Sequence, residues 1–222
     1  ETGAVHPVRA IAELRDRINP GMAIHLDAVQ AFGKVRPLPG ATGCELVSVS
    51  GHKLHAPKGI GALFIRSGVR VEPILYGGGQ QNGKRSGTEN VPLLAGLAMA
   101  ARAAASSLDA SEAVVRSVRD TLLQELAPLA DTRQMVRLSP DDAYPGILYL
   151  SFPSLKAETM LHALEMDQVF VSTGSACSSR QKNSSPVLQS IGIHKDIAES
   201  AVRFSFSRFN TPDEARIAAA SV

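Results

Sequence analysis

Apolar positions along the chain change their period several times, and each change predicts an element. After Pro7, residues Val8, Ile11, Leu14 and Ile18 recur at helical spacing, and Asn19, Pro20 and Gly21 then stop the helix. AIHLDAVQ (residues 23–30) reads as a strand ending in polar groups. ELVSVSGHK (45–53) and GALFIRS (61–67) are further strand candidates, separated by a loop with Pro57 and Gly59. A helix followed by several strands predicts an α/β sheet. YGGGQQNGKRSGT (76–88) is a glycine-rich loop, after which Asn90 caps a long alanine-rich helix suited to linking two domains.

From Asp109 the rhythm changes. The sequence DASE (109–112) reads as a capping box, and Val114, Val115, Val118, Leu122 and Leu126 mark an amphipathic helix. GILYLSF (146–152) and VRFSFS (202–207) read as strands. Between them fall a helix from about Lys156 to Met166 and a short QVFVS segment (168–172). Thr211, Pro212 and Glu214 form a helix start with a capping box and proline at the first helical position. The pattern divides the chain into 1–108, part of a large α/β domain ending in a linking helix, and 109–222, a small α+β domain.

Composition narrows the class. A hydrophobic fraction of 44% with 20% charged residues supports a packed core. The net charge is only +2, from 23 basic and 21 acidic residues, and the basic residues are scattered, which argues against a nucleic-acid partner. The longest apolar run, 92–101, falls short of the roughly 18 residues a membrane helix needs, so no span is expected. Only Cys44 and Cys177 occur, without CxxC spacing. Neither a disulfide framework nor a zinc site is supported, and a reducing, cytoplasmic compartment with both thiols free is expected. The opening ETGAVHPVRA has no initiator Met and no signal-like leader, so the start reads as internal.

A few residues could carry chemistry. Asp27, at the end of an apolar strand, lies where open α/β sheets present groups to ligands, and a turn or cap role is the plainer alternative. Gln30 could present an amide to the same place or be a solvated surface residue. Ser50, His52 and Lys53 leave a strand together. A desolvated lysine becomes nucleophilic and commonly bonds a carbonyl cofactor, for which pyridoxal phosphate is the obvious candidate. That cofactor needs a lysine for its aldehyde, an acid for its ring nitrogen and donors for its phosphate. Lys53, Asp27, and Ser50 with His52 fill those needs. A surface lysine beside a backbone-satisfied histidine remains open, and His52 with His55 lacks the further ligands of a metal site. Cys177 lies in a polar, serine-rich stretch where little could pack, which invites a nucleophile reading, whereas Cys44 at a strand entry reads as core. Arg203, a cation in an apolar strand, wants an anion, either a substrate carboxylate held bidentately or a structural ion pair.

Taken in order, HLDAVQ, SVSGHK, GGGQQNGKRSGTEN, STGSACSS and VRFSFSRF resemble the pyridoxal-phosphate-dependent cysteine desulfurases, NifS/IscS-like members of the class V aminotransferases, over essentially the whole chain. The GSACSS stretch looks like the branch whose catalytic cysteine travels on a long loop. The resemblance implies a partial large domain of the aspartate-aminotransferase-like fold followed by a small C-terminal domain. It also implies that Lys53 anchors the cofactor and then moves protons, Asp27 holds the ring nitrogen, and Gln30 contacts the ring oxygen. Ser50 and His52 would hold the phosphate, and Thr88 would reach the phosphate of a neighbouring subunit in a homodimer. Arg203 would grip the carboxylate of L-cysteine, and Cys177 would take its sulfur as a persulfide, yielding alanine and supplying an iron–sulfur scaffold or another acceptor. Family members carry a further N-terminal half, with more of the cofactor pocket, that would end just before Glu1. The chain is therefore expected to be a fragment or one half of a split protein. The alternatives are another class V aminotransferase or lyase, in which Cys177 has no role, and a noncatalytic dimerisation or scaffold-binding module.

Overall fold

The computed structural model describes residues 1–36, 39–174 and 185–222, in two compact units, Pro7–Leu108 and Glu1–His6 with Asp109–Val222.

In the first unit the predicted helix forms as α1 (Val8–Ile18), followed by the strands β1 (His25–Asp27), β2 (Leu46–Ser50) and β3 (Gly61–Ile65) and the helix α2 (Val91–Ser106). Strand β1 runs parallel to β2, pairing His25 with Leu46 and Asp27 with Ser48, and β3 returns antiparallel along the other side of β2. Asn90 caps α2, its Oδ1 accepting from the Leu93 N–H at 3.2 Å. A small core of Ala28, Cys44 and Val47 gathers Val8, Ile24, Leu26 and Phe32 around it. Cys44 is fully buried and free, as expected of a small apolar side chain at a strand entry.

The apolar stripe of α1 is not what this helix buries. Ile11, Leu14 and Ile18 are 48%, 47% and 74% exposed, and the buried positions are Ala12 and Arg15. The helix is oriented by Arg15, whose guanidinium grips Glu45 with two bonds, Nη1 to Oε2 at 2.7 Å and Nη2 to Oε1 at 3.0 Å. It also donates to the carbonyl of Gly43 at 3.2 Å and to that of Met22. Apolar side chains remain open elsewhere in the unit, including Leu63 and Phe64 of β3, Ile74 and Tyr76.

The second unit contains α3 (Leu108–Glu125), α4 (Ala127–Asp131), β4 (Val136–Arg137), β5 (Ile147–Ser151), α5 (Ala157–Met166), α6 (Pro186–Ser190), α7 (Lys195–Glu199), β6 (Ala201–Ser205) and α8 (Pro212–Ala220). Strands β4, β5 and β6 form an antiparallel sheet in that order. Its alternation divides the side chains between two layers. Leu148, Leu150, Val202 and Phe204 join Val118, Leu122 and Leu126 of α3, Met160 and Leu164 of α5 and Ala215 of α8 in the main core. Tyr149 and Ala201 pack instead with Leu188 of α6 and Ala198 of α7.

The structure differs from the sequence reading in three details. Residues 1–6, placed with the first region, pack with the second unit, where the Tyr144 N–H donates to the Gly3 carbonyl at 2.9 Å and the Ser185 hydroxyl donates to the Glu1 carboxylate. Glycine is required there, because at φ +83° an added Cβ would stand 3.1 Å from the Ile147 carbonyl oxygen. Helix α3 begins at Leu108, so Asp109 lies in its first turn rather than capping it. Of the 168–172 segment only Ser172 pairs with the sheet, in an isolated bridge to Arg203. The capping box at Thr211 and Glu214 is present as read. Among the described residues no single helix is long and apolar enough to cross a membrane.

Candidate active site

Parallel pairing brings the C-terminal ends of β1 and β2 to one edge of the sheet, the place where α/β proteins present ligand-binding groups. Asp27 ends β1. Ser50 ends β2, and the chain turns at once through a short 3-10 segment, Gly51–Leu54, that carries His52 and Lys53. The turn is tight: the Gly51 N–H donates to the Ile60 carbonyl at 2.9 Å, and a Cβ on Gly51 would lie 2.9 Å from Ile60 Cγ2. Leu54 is buried and seats the turn. Gly33, at φ +71°, presses against it so closely that a Cβ there would meet Leu54 Cδ2 at 2.7 Å and Ala104 of α2 at 2.9 Å. The Asp27 turn, the Lys53 turn and α2 are thereby locked together.

Within this frame Asp27 takes the turn role as well, its Oδ1 accepting from the Val29 N–H at 2.9 Å. Ser50 Oγ lies 2.8 Å from His52 Nδ1, which orients the ring and leaves Nε2 as the atom it presents. Lys53 is half-buried, and no carboxylate pairs with it among the described residues. Close by, burial and the neighbouring Lys53 charge hold the Lys34 amine below the usual lysine range. Two amines without a carboxylate make an electropositive edge suited to an anion. Gln30 is exposed in the turn after Asp27, and Thr88 is exposed after the glycine-rich loop, whose shape is set by Gln80 Oε1 accepting from the Gly87 N–H at 3.0 Å.

Arg203 stands in the second unit, at the centre of β6. Its backbone is bridged to Ser172, with N–H to carbonyl distances of 2.6 and 3.2 Å. Its Nε is buried without a hydrogen-bond partner, and no ion pair engages it among the described residues. The structural ion pair considered for it is therefore not formed there. Cys177, the expected nucleophile, lies outside the described residues.

Several contributing residues were not foreseen. His25, inside the HLDAVQ motif and on the same strand face as Asp27, bonds Ser48 Oγ through Nε2 at 2.7 Å. Lys34 gave no signal beyond a charge after a glycine. Arg15 and Glu45 form the clamp that holds α1 and both site-bearing strands, since Glu45 Oε2 also accepts from the Ile24 N–H at 2.8 Å at the entry to β1. Two charges thirty positions apart reveal no pairing to a periodicity argument. The Arg15 bonds, with help from Ile24, hold the Glu45 carboxyl down to about 2, from 4.5. A depressed carboxylate stabilises the fold above its ordinary range and loses that effect as pH falls through its folded value. Acid titration followed by circular dichroism should show stability falling between about pH 5 and pH 2, with a flatter profile in Glu45→Gln. An unchanged profile would remove Glu45 from the clamp.

The Aminotransferase class-V family matches residues 1–217, and the chain belongs to that family. It is similar to a cysteine desulfurase of Gluconacetobacter diazotrophicus, 39% identical over 211 residues, covering 95% of this chain and 52% of that protein. It is also similar to cysteine desulfurase NifS of Azotobacter vinelandii, 36% identical over 214 residues, covering 96% and 52%. Among solved structures, a NifS-like protein superposes with a TM-score of 0.89 at 31% identity, covering 99% of this chain and 56% of that one. The mixed α/β fold is thus that of the NifS-like proteins. The chain spans about half the length of the curated relatives it matches.

Proposed function

We propose that this chain carries the lysine- and cysteine-bearing part of a pyridoxal-phosphate-dependent cysteine desulfurase. The reaction converts L-cysteine to L-alanine and leaves a persulfide on Cys177, for delivery to an iron–sulfur scaffold or another acceptor. The observation that carries this reading is the convergence of Asp27, Ser50, His52 and Lys53 on one edge of two parallel strands. The donor set fits the cofactor: a lysine with no carboxylate partner among the described residues for the aldehyde, a carboxylate for the ring nitrogen, and a hydroxyl–imidazole pair in an electropositive setting for the phosphate. When bound, pyridoxal phosphate supplies an electron sink for the substrate's α-carbon.

This chain's own residues do the rest. Asp27 would keep a proton on the ring nitrogen, Gln30 would meet the ring oxygen, and His52 and Ser50 would hold the phosphate. Thr88 reaches the phosphate of a second copy, which makes the working form a homodimer. Arg203 takes the substrate carboxylate with its guanidinium fork. Lys53 Nζ removes the α-proton and returns protons to carbon. The Cys177 thiolate attacks the substrate sulfur: an S–S bond forms, the C–S bond breaks, and the β-carbon takes a proton, so that L-cysteine and a thiol become L-alanine and a persulfide. A reducing compartment such as the cytoplasm suits both thiols, including the buried Cys44.

The test is the intact mass of the folded chain after incubation with pyridoxal phosphate and borohydride, together with alanine formation from L-cysteine. A phosphopyridoxyl adduct with alanine production is expected, and a folded chain yielding neither would overturn the reading.

A further inference from the structure

Tyr149 is the largest fully buried side chain of the second unit, yet its hydroxyl has no hydrogen-bond partner among the described residues. A buried hydroxyl left unpaired costs folding free energy, so its retention calls for a reason. The reason lies across the sheet. Tyr149 on β5 is the register partner of Arg203 on β6, and directly opposed residues of an antiparallel pair project side by side on one face. Among the described residues Arg203 Nε is likewise buried and unpartnered. One side chain offers an O–H, the other an N–H. Two neighbouring donors without an acceptor describe a place where an anion's oxygen belongs.

The surroundings keep this pair available. Tyr149 packs against Leu188, Ala198 and Ala201, which supply no polar group, and the backbone N–H and carbonyl of Arg203 are both taken by Ser172. Glu1, the carboxylate whose charge reaches Tyr149, accepts a bond from Ser185. Burial first, and then the Glu1 charge, push the Tyr149 hydroxyl up to about 12 against the opposing pull of Arg203. The phenol therefore keeps its proton, and remains a donor, at any pH at which the protein works.

We propose that Tyr149 is a second substrate-binding residue of the carboxylate subsite, its hydroxyl and Arg203 Nε–H together holding one oxygen of the amino acid's α-carboxylate. This rests on the reading of Arg203 as the carboxylate-binding residue. In that arrangement Arg203 engages the carboxylate side-on, through Nε and one terminal nitrogen, and the phenol adds a further bond to one of its oxygens.

The experiment compares L-alanine with ethylamine, the same amine without the carboxylate, by calorimetric titration of the chain saturated with pyridoxal phosphate. Tyr149→Phe keeps the ring and removes only the oxygen. It should weaken L-alanine by about 10- to 100-fold, the worth of one bond to a charged group, while ethylamine changes by less than about twofold. Thermal stability should be unchanged or higher, because an unpaired buried hydroxyl has been removed. L-Alanine binding unchanged in Tyr149→Phe but weakened in Arg203→Lys would overturn the role of Tyr149 and leave the Arg203 reading intact. Equal weakening of both ligands together with a lower melting temperature would show a purely structural tyrosine and overturn it too. A wild-type chain with no preference for L-alanine over ethylamine would remove both claims.

Discussion

Lys53→Ala is expected to abolish the borohydride-trapped phosphopyridoxyl adduct and to lower alanine formation by at least about 10³-fold, since it removes both the cofactor's covalent anchor and the proton-transfer group. The fold should survive. Lys53 is half-buried and has no carboxylate partner among the described residues, while the turn that carries it is held by Leu54, Gly51 and Gly33 rather than by the amine. Melting temperature should therefore change little, and the loss can be read as chemistry. Lys34 makes the outcome informative, because it places a second amine, partly desolvated, beside the first. Peptide mapping of the reduced adduct should find it on Lys53 alone. An adduct of undiminished yield on Lys34 in Lys53→Ala would show that the pocket selects for position rather than for one lysine, and would refute the assignment.

Cys177→Ser should separate the two halves of the reaction. A serine hydroxyl is a poor nucleophile toward sulfur at neutral pH, so alanine formation and protein-bound persulfide should fall by at least about 10³-fold. The adduct on Lys53 should form as in the wild type, since the proposed role of Cys177 is to take the sulfur and not to anchor the cofactor. Turnover that survives this substitution would place the chain with class V enzymes that act on the amino acid without a protein thiol. Loss of the Lys53 adduct as well would mean that the serine variant had damaged folding, which circular dichroism would reveal.

Much of the fold was legible because its elements obey simple periods. The strands at 46–50, 147–151 and 201–205 and the helices at 91–106 and 212–220 follow alternation, caps and proline placement. Asp27, Ser50, His52 and Lys53 could be chosen because each ends an apolar strand with polar groups, and order along the chain then tied them together. What stayed hidden depends on contacts between distant positions. The stripe of Ile11, Leu14 and Ile18 announced the helix but not its buried side, which carries Ala12 and the Arg15 that pairs with Glu45. Residues 1–6 carry no periodic signal, and the bonds from Tyr144 to Gly3 and from Ser185 to Glu1 show where they belong. Tyr149 looked like one more apolar strand residue until its cross-strand neighbour was known.

The Arg15–Glu45 clamp has a consequence for which face of the sheet the chemistry occupies. Strand β1 is only three residues long and is joined to β2 by three pairs, so the ladder itself resists a slip only weakly. Side chains alternate along a strand, and sliding β1 by one residue would turn Asp27 to the opposite side of the sheet and bring Leu26 forward in its place. Glu45 forbids that slip. Its carboxylate holds the Ile24 N–H while its own N–H is given to the Ile24 carbonyl, and Arg15 fixes the carboxylate from outside the sheet. The Arg15–Glu45 pair thus decides whether an acid or a leucine stands on that face at the end of β1.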